Sequence, residues 1–353
     1  MHKELQTIQI GHRPIGPGHP VYIVAEISAN HRQDYNEAAQ LIHAAKEAGA
    51  DAVKLQTYTP DTMTIDCKSE HFCHGEGSLW ENKSLYELYQ TAYMPWEWQP
   101  RLKEVAEKID IDFFSTAFDR SSVEFLETMG VPAYKIASFE LIDLPLIQQV
   151  AKTGKPLFLS TGMATMEEIE KAVRVANGSG ADQIVLLKCT SSYPAGANNM
   201  NLKTLTHMAD HFGYPCGLSD HSLGHTCAIA AVALGAMMIE KHFTLSRRNN
   251  SADSGFSAEP AEFKAMVESI RTVEMALGKA TYGPNPSEAE SLKFRRSLYV
   301  VADVAQGERL TADNVRSIRP GQGLAPEYMD RIIGKKANQP IKRGTPLAWC
   351  FVG

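Results

Sequence analysis

Eight short apolar runs alternate with helix-period segments from residue 21 onward, and that alternation leaves few folds open. The runs fall at 21–26, 52–56, 112–116, 133–138, 156–161, 184–189, 216–220 and 237–242. Most are nearly continuous in apolar residues, as suits parallel strands buried on both faces. Between them, Ala38, Leu41, Ile42, Ala45 and Ala48 share one helical face, and Gly49 stops that helix. Residues 165–175 open on Thr165 with Glu168 three positions on, a capping-box pattern. Segments 145–151, 202–212, 226–234 and 262–277 repeat the helical period. Together they predict an α/β fold, a (β/α)8 TIM barrel of about 260 residues. An open doubly wound sheet is the rival, but no Gly-rich dinucleotide fingerprint follows the first strand.

Two stretches depart from the repeat. Residues 57–95 are too long for an ordinary strand-to-helix connection and carry Phe72, Trp80, Tyr86, Tyr89, Tyr93 and Trp96. A lid or substrate wall and a packed surface excursion are the two readings of such an insertion. After the repeat, Gly, Pro, Asn and Ser mark a linker, and β-like pieces follow at 297–301, 315–318 and 346–351. The expected domains are a barrel at 1–280, a linker at 281–293 and a β-rich module at 294–353 that leans on the barrel or on a partner subunit.

Composition narrows the function. The 353 residues hold 35 Lys and Arg against 41 Asp and Glu, a net charge of −6, with no basic stripe for nucleic acid. Any anionic ligand must therefore meet a few local cations in a cleft. Six scattered cysteines without a C-x-x-C pair fit reduced thiols in the cytoplasm better than a disulfide framework. No run approaches the ~18 apolar residues of a membrane span, and residues 1–5 lack an apolar signal core.

In a barrel the reacting groups sit at the C-terminal strand ends. There the chain places Glu26, Lys54 and Gln56, Ser115 and Thr116, Lys135 to Glu140, and Ser160 to Gly162. The later strands add Lys188 to Tyr193, Ser219 to His221, and Glu240 to His242. A single such lysine is more often an ion-pair partner than a ligand clamp; eight polar strand ends on one rim point to a ligand. Lys54 and Lys135 amid small hydroxyls (Thr116, Ser138, Ser160, Ser191, Ser219) suit phosphate and carboxylate. His221 and His242, on adjacent strands, can share one divalent metal, with Mn2+ the best match and Mg2+ or Co2+ as substitutes.

These stretches carry a resemblance. A-E-I-S-A-N-H (25–31), A-V-K-L-Q-T-Y (52–58), Y-K-I-A-S-F-E (134–140) and S-T-G-M-A (160–164) resemble the N-acetylneuraminate synthase family. So do L-K-C-T-S-S-Y-P (187–194), G-L-S-D-H-S-L-G (217–224) and E-K-H-F-T-L-S-R (240–247). F-R-R-S-L (294–298), R-P-G-Q-G (319–323) and I-G-K-K-A (333–337) look like its antifreeze-like (SAF) domain. The loop at 246–257 and the insertion most resemble the pseudaminic acid synthase branch, while Arg32-Gln33-Asp34 departs from the family pattern.

The resemblance implies metal-dependent condensation of phosphoenolpyruvate with an N-acetylated sugar aldehyde, with C–O cleavage and phosphate release. It places Lys54, Thr116, Lys135, Ser138, Ser160, Ser191 and Ser219 around phosphoenolpyruvate, and His221 and His242 on the metal. Gln56, Tyr193, Asp253 and Arg319 would meet the sugar, Arg319 from the partner of a domain-swapped homodimer. Glu140 would be the acid/base carboxylate, with Glu26 the second catalytic carboxyl facing the sugar. The alternatives are a synthase for N-acetylneuraminate, legionaminate or a spore-coat sugar acid, another phosphoenolpyruvate-using or lysine aldolase, and an ice- or glycan-binding module.

Overall fold

The computed structural model describes residues 5–73 and 84–353 of the chain; Trp80 and residues 1–4, where no apolar signal core is expected, lie outside them. The fold divides into two units, residues 1–278 and 279–353.

The first unit opens with an antiparallel hairpin, β1 (Ile8–Ile10) and β2 (Arg13–Ile15). Eight parallel strands then close a barrel. They are β3 (Tyr22–Glu26), β4 (Ala52–Thr57), β5 (Asp112–Ala117), β6 (Tyr134–Ile136), β7 (Leu157–Ser160), β8 (Ile184–Cys189), β9 (Cys216–Asp220) and β10 (Met238–His242). Each expected run coincides with one of them to within a residue or two, and β10 pairs with β3 to close the ring. The helices follow the periodicity too. Helix Tyr35–Glu47 ends before Gly49, whose φ of 90° few other residues adopt, and helix Met166–Gly178 is capped by Thr165 and Glu168 as their spacing predicts.

Strand side chains alternate between faces, which sorts each strand into a wall half and a lumen half. Outward residues such as Ile23, Val53, Leu159 and Leu218 pack with the surrounding helices. Inward residues Tyr22, Val24, Phe114, Phe158, Val185 and Met238 form a second cluster with Ile8, Ile10 and Ile15, so the hairpin plugs the N-terminal end of the lumen. The next inward positions towards the strand ends are Glu26, Lys54, Thr116, Lys135, Ser160, Ser219 and Glu240, all buried. An apolar lower lumen thus carries an ionic floor above it.

The second unit has its own core of Leu298, Val300, Val304, Leu310, Val315 and Ile332 among others. Its two strands, β11 (Ser297–Val300) and β12 (Val315–Ile318), are antiparallel. At 346–351 a strand gives way to one bridge, Pro346 to Tyr299, and a 3-10 turn at Trp349–Phe351. Proline has no N–H with which to extend a ladder. The expected linker holds an exposed 3-10 helix, Pro286–Phe294. All six cysteines are free, and no helix among the described residues is long and apolar enough to cross a membrane.

Candidate active site

The ionic floor is set by strand register. Glu26 lies beside Lys54 and Ser219 beside Glu240 on neighbouring strands, so opposite charges meet across the lumen without any loop to place them. Lys54 Nζ sits 2.6 Å from Glu26 and 3.6 Å from Glu240, and donates to Thr116 Oγ1 at 2.9 Å. Lys135 Nζ reaches Glu240 at 3.2 Å, and Ser219 Oγ donates to Glu240 at 3.0 Å. Burial would push Glu240 up, yet Lys135 and Lys54 outweigh it and hold the carboxyl at about 2. Burial pushes Glu26 up to about 7; Lys54 opposes the rise and Glu240 adds to it. Burial also pulls Lys135 below the usual lysine range, against the attraction of Glu240. Two ammoniums thus share two carboxyls in low dielectric, and an incoming phosphate would strengthen the charge on both lysines.

Beside this floor, Ser138, Ser160 and Ser191 surround Gly162. The Gly162 N–H donates to Ser138 Oγ at 3.1 Å, and a side chain on Gly162 would collide with the hydroxyls of Ser191 and Ser138. Ser160 Oγ is buried with no hydrogen-bond partner among the described residues. Small hydroxyls held open around a bare backbone suit the oxygens of a phosphate or carboxylate.

His221 and His242 come together with ring centroids 5.3 Å apart. His221 Nδ1 lies 2.9 Å from the Thr190 carbonyl, which makes Nδ1 the donor and frees Nε2. His242 Nδ1 is buried without a partner among the described residues. The described residues hold no group of three or more His, Cys, Asp and Glu that could bind a metal, so a cation on this pair would need further ligands from substrate or water.

Above the floor opens a cavity of about 560 Å³. Gln56, Glu140, Tyr193, His242 and Asp253 line its polar side. Gln56 donates to Glu26 at 3.0 Å and to Ser28 at 3.1 Å, while Ser28 in turn donates to Asp253. Tyr193 packs on His221 with centroids 4.3 Å apart and touches Phe256 at 5.0 Å. Glu140 Oε2 is buried with no hydrogen-bond partner among the described residues; burial pushes this carboxyl up to about 7, with Lys135 opposing and Asp143 adding.

All the expected barrel residues converge on this floor and cavity. Arg319 lies exposed on the second unit. Several polar strand-end residues point elsewhere. Asp220 and Lys241 face the outer wall, paired at 2.8 Å, and Ser115 bonds Thr57 there at 2.6 Å. Asn30 tethers the β10 loop through Phe243 and Ser257, both at 2.9 Å. The site also gains two residues to which sequence reasoning gave no role, Glu240 between the lysines and Gly162 in the cradle, and the insertion lends the cavity Met63, Leu85 and Leu88, as the substrate-wall reading expects. Strand parity could have found Glu240, because it shares the face of His242.

Comparison with known proteins gives a consistent picture. The NeuB family matches residues 41–282 and the SAF domain residues 295–351. A pseudaminic acid synthase of Helicobacter pylori is 46% identical over 330 residues, 93% of this chain and 97% of its own. Another, from Campylobacter jejuni, is 44% identical over 93% of this chain and 95% of its own. Among solved structures, an N-acetylneuraminic acid synthetase of Leptospira borgpetersenii in complex with citrate is 33% identical with a TM-score of 0.74. It spans 83% of this chain and 97% of that one.

Proposed function

Because the chain belongs to the NeuB family, we propose that it condenses phosphoenolpyruvate with 2,4-diacetamido-2,4,6-trideoxy-L-altrose, yielding pseudaminic acid and phosphate. The observation that carries this reading is the juxtaposition of Lys54 and Lys135 with the Ser138–Ser160–Ser191 cradle beneath a cavity of sugar size. Two cations and three small hydroxyls match an enol phosphate, which brings a carboxylate and a phosphate to one place.

In this reading Lys54, Lys135, Thr116, Ser219 and the cradle hydroxyls fix phosphoenolpyruvate with its carbon 3 towards the cavity. Gln56, Tyr193 and Asp253 orient the sugar so that its aldehyde carbon meets carbon 3, the arrangement that lowers the entropic part of the barrier. A divalent cation on His221 and His242, with Mn2+ the best match and Mg2+ or Co2+ as substitutes, would supply a Lewis acid for the aldehyde oxygen. As the new C–C bond forms, positive charge appears at carbon 2. Glu140 takes a proton from the water that adds there. The tetrahedral phosphate hemiketal then loses phosphate through C–O cleavage and becomes the α-keto acid. Glu26, lifted to about 7 by burial and joined to both Lys54 and Gln56, is placed to give a proton to the aldehyde oxygen as it becomes a hydroxyl.

The second unit contributes Arg319 in trans within a domain-swapped homodimer. It holds twelve Lys and Arg against seven Asp and Glu, a net +5, which leaves −11 for residues 1–278 out of the total of −6. Opposite charge of that size favours docking of one unit on the other's counterpart. The enzyme acts in the cytoplasm, where its phosphorylated substrate is found.

Incubation with phosphoenolpyruvate and a panel of acetamido sugars, followed by phosphate release and product mass, tests the reading. The diacetamido-trideoxy altrose should give the fastest release. Faster turnover of N-acetylmannosamine would replace the substrate with that of an N-acetylneuraminate synthase. Borohydride trapping of a sugar on Lys54 or Lys135 would replace the reaction with a lysine aldolase.

A further inference from the structure

The cavity's lining is mixed. Besides Gln56, Asp253 and Glu140 it includes a wall from the 57–95 insertion, Met63, Leu85 and Leu88 with Thr62 among them, and Phe118. Met63, Leu85, Leu88 and Phe118 offer no strong hydrogen-bond group. Tyr58 and Tyr89 complete the wall. The Tyr58 ring is fixed edge-on between Phe118, at 5.3 Å, and Tyr89, at 5.6 Å, and its backbone carbonyl accepts from Trp96 Nε1 at 3.1 Å. The wall is therefore braced. Leu88 is buried at its root, while Met63 and Leu85 stay half-exposed at its surface.

Geometry assigns the sugar's two ends. The reacting aldehyde, carbon 1, must lie over the lysines and imidazoles of the floor. Carbon 6 is at the other end of the chain, and so in the outer part of the cavity. A hydroxyl set against Met63, Leu85 and Leu88 would lose part of its hydration with no hydrogen bond from them in return. A methyl group would bury apolar surface instead.

We propose that Met63, Leu85 and Leu88 form a specificity wall that selects sugars with a methyl group at carbon 6 over those with a hydroxymethyl. The inference rests on the functional reading above and deepens it: the insertion supplies the discrimination, and the barrel supplies the chemistry.

The test compares 2,4-diacetamido-2,4,6-trideoxy-L-altrose with its 6-hydroxy analogue, both with phosphoenolpyruvate, by kcat/KM from phosphate release. The unaltered enzyme should favour the 6-deoxy sugar by about 10- to 100-fold, the range for one group in an apolar pocket. Leu85→Asn and Met63→Gln, close in volume, should shrink that ratio at least about fivefold while the KM for phosphoenolpyruvate holds. Leu85→Met, which keeps the wall apolar, should preserve the ratio and show that the position tolerates change. Equal handling of both sugars by the unaltered enzyme overturns the wall, as does an unchanged ratio in Leu85→Asn and Met63→Gln. Failure to turn over either sugar, with phosphate released from another acetamido sugar, overturns the functional reading and the wall with it.

Discussion

The floor of the site and its outer wall are built by different means. The floor is strand-borne: Glu26, Lys54, Lys135, Ser219 and Glu240 take their places from barrel register, and each is at most 4% exposed. The wall is loop-borne, from the turn at Pro60–Met63 and the helix Leu85–Ala92, braced by aromatic edges rather than a hydrogen-bonded ladder. Register tolerates no adjustment, because one step of slippage turns every side chain to the other face. Loops tolerate much. The chemistry is accordingly fixed in the barrel, and the choice of sugar is left to a segment that can vary without disturbing it.

That contrast predicts unequal mutational costs. The largest belongs to the floor. Lys54→Met strands the buried Glu26 and leaves Glu240 to Lys135 alone, and should destabilise the fold by about 3–5 kcal/mol, a loss read by urea unfolding. Adding Glu26→Gln should recover part of it. If Lys54→Met costs no more than a wall variant such as Leu85→Asn, the contrast between floor and wall fails.

Next comes Glu140→Gln, which should lower kcat by about 10²–10⁴-fold while phosphoenolpyruvate still binds. Because Glu140 must be ionised to take a proton, kcat/KM should fall on the acid side with an inflection near 7, and the variant should lose that inflection. The stability effect has the opposite sense. The folded state holds a proton that an ordinary carboxyl releases at about 4.5, so stability drops from pH 4.5 to about 7 and levels off above. Glu140→Gln should therefore be the more stable protein at pH 8 and the poorer catalyst. Unchanged turnover removes Glu140 from the role.

Gly162→Ala sits at the edge of the floor. Its methyl group closes the cradle against Ser191 and Ser138, and titration with phosphoenolpyruvate should show binding weakened by about tenfold or more, with an overpacking cost of about 1–3 kcal/mol in the melting curve. Retained affinity would separate the cradle from the ligand. The smallest effect on stability is expected at the barrel's outer surface, where Thr165→Ala removes a helix cap and should cost about 1 kcal/mol with kcat intact.

The same contrast explains what the sequence made legible. Strand runs announce themselves by composition, and their ends gave the lysines, the hydroxyls and both imidazoles. Parity went unread, so Asp220 and Lys241 looked equivalent to Ser219 and Glu240, although they pair with each other on the outer wall. The helices Gln99–Lys108 and Arg120–Met129 escaped notice because their charged faces blur the apolar period. The role of Gly162 depends on two loops meeting, and the wall on how a long insertion turns back over the barrel. Neither is written in local periodicity.

The central claim is that the floor holds an enol phosphate whose C–O bond breaks. Phosphoenolpyruvate carrying ¹⁸O in the bridging position, turned over with the diacetamido-trideoxy altrose, tests it in one mass spectrum. The account predicts that the label leaves with the released phosphate. Label retained in the sugar-acid product would mean P–O cleavage and would contradict it.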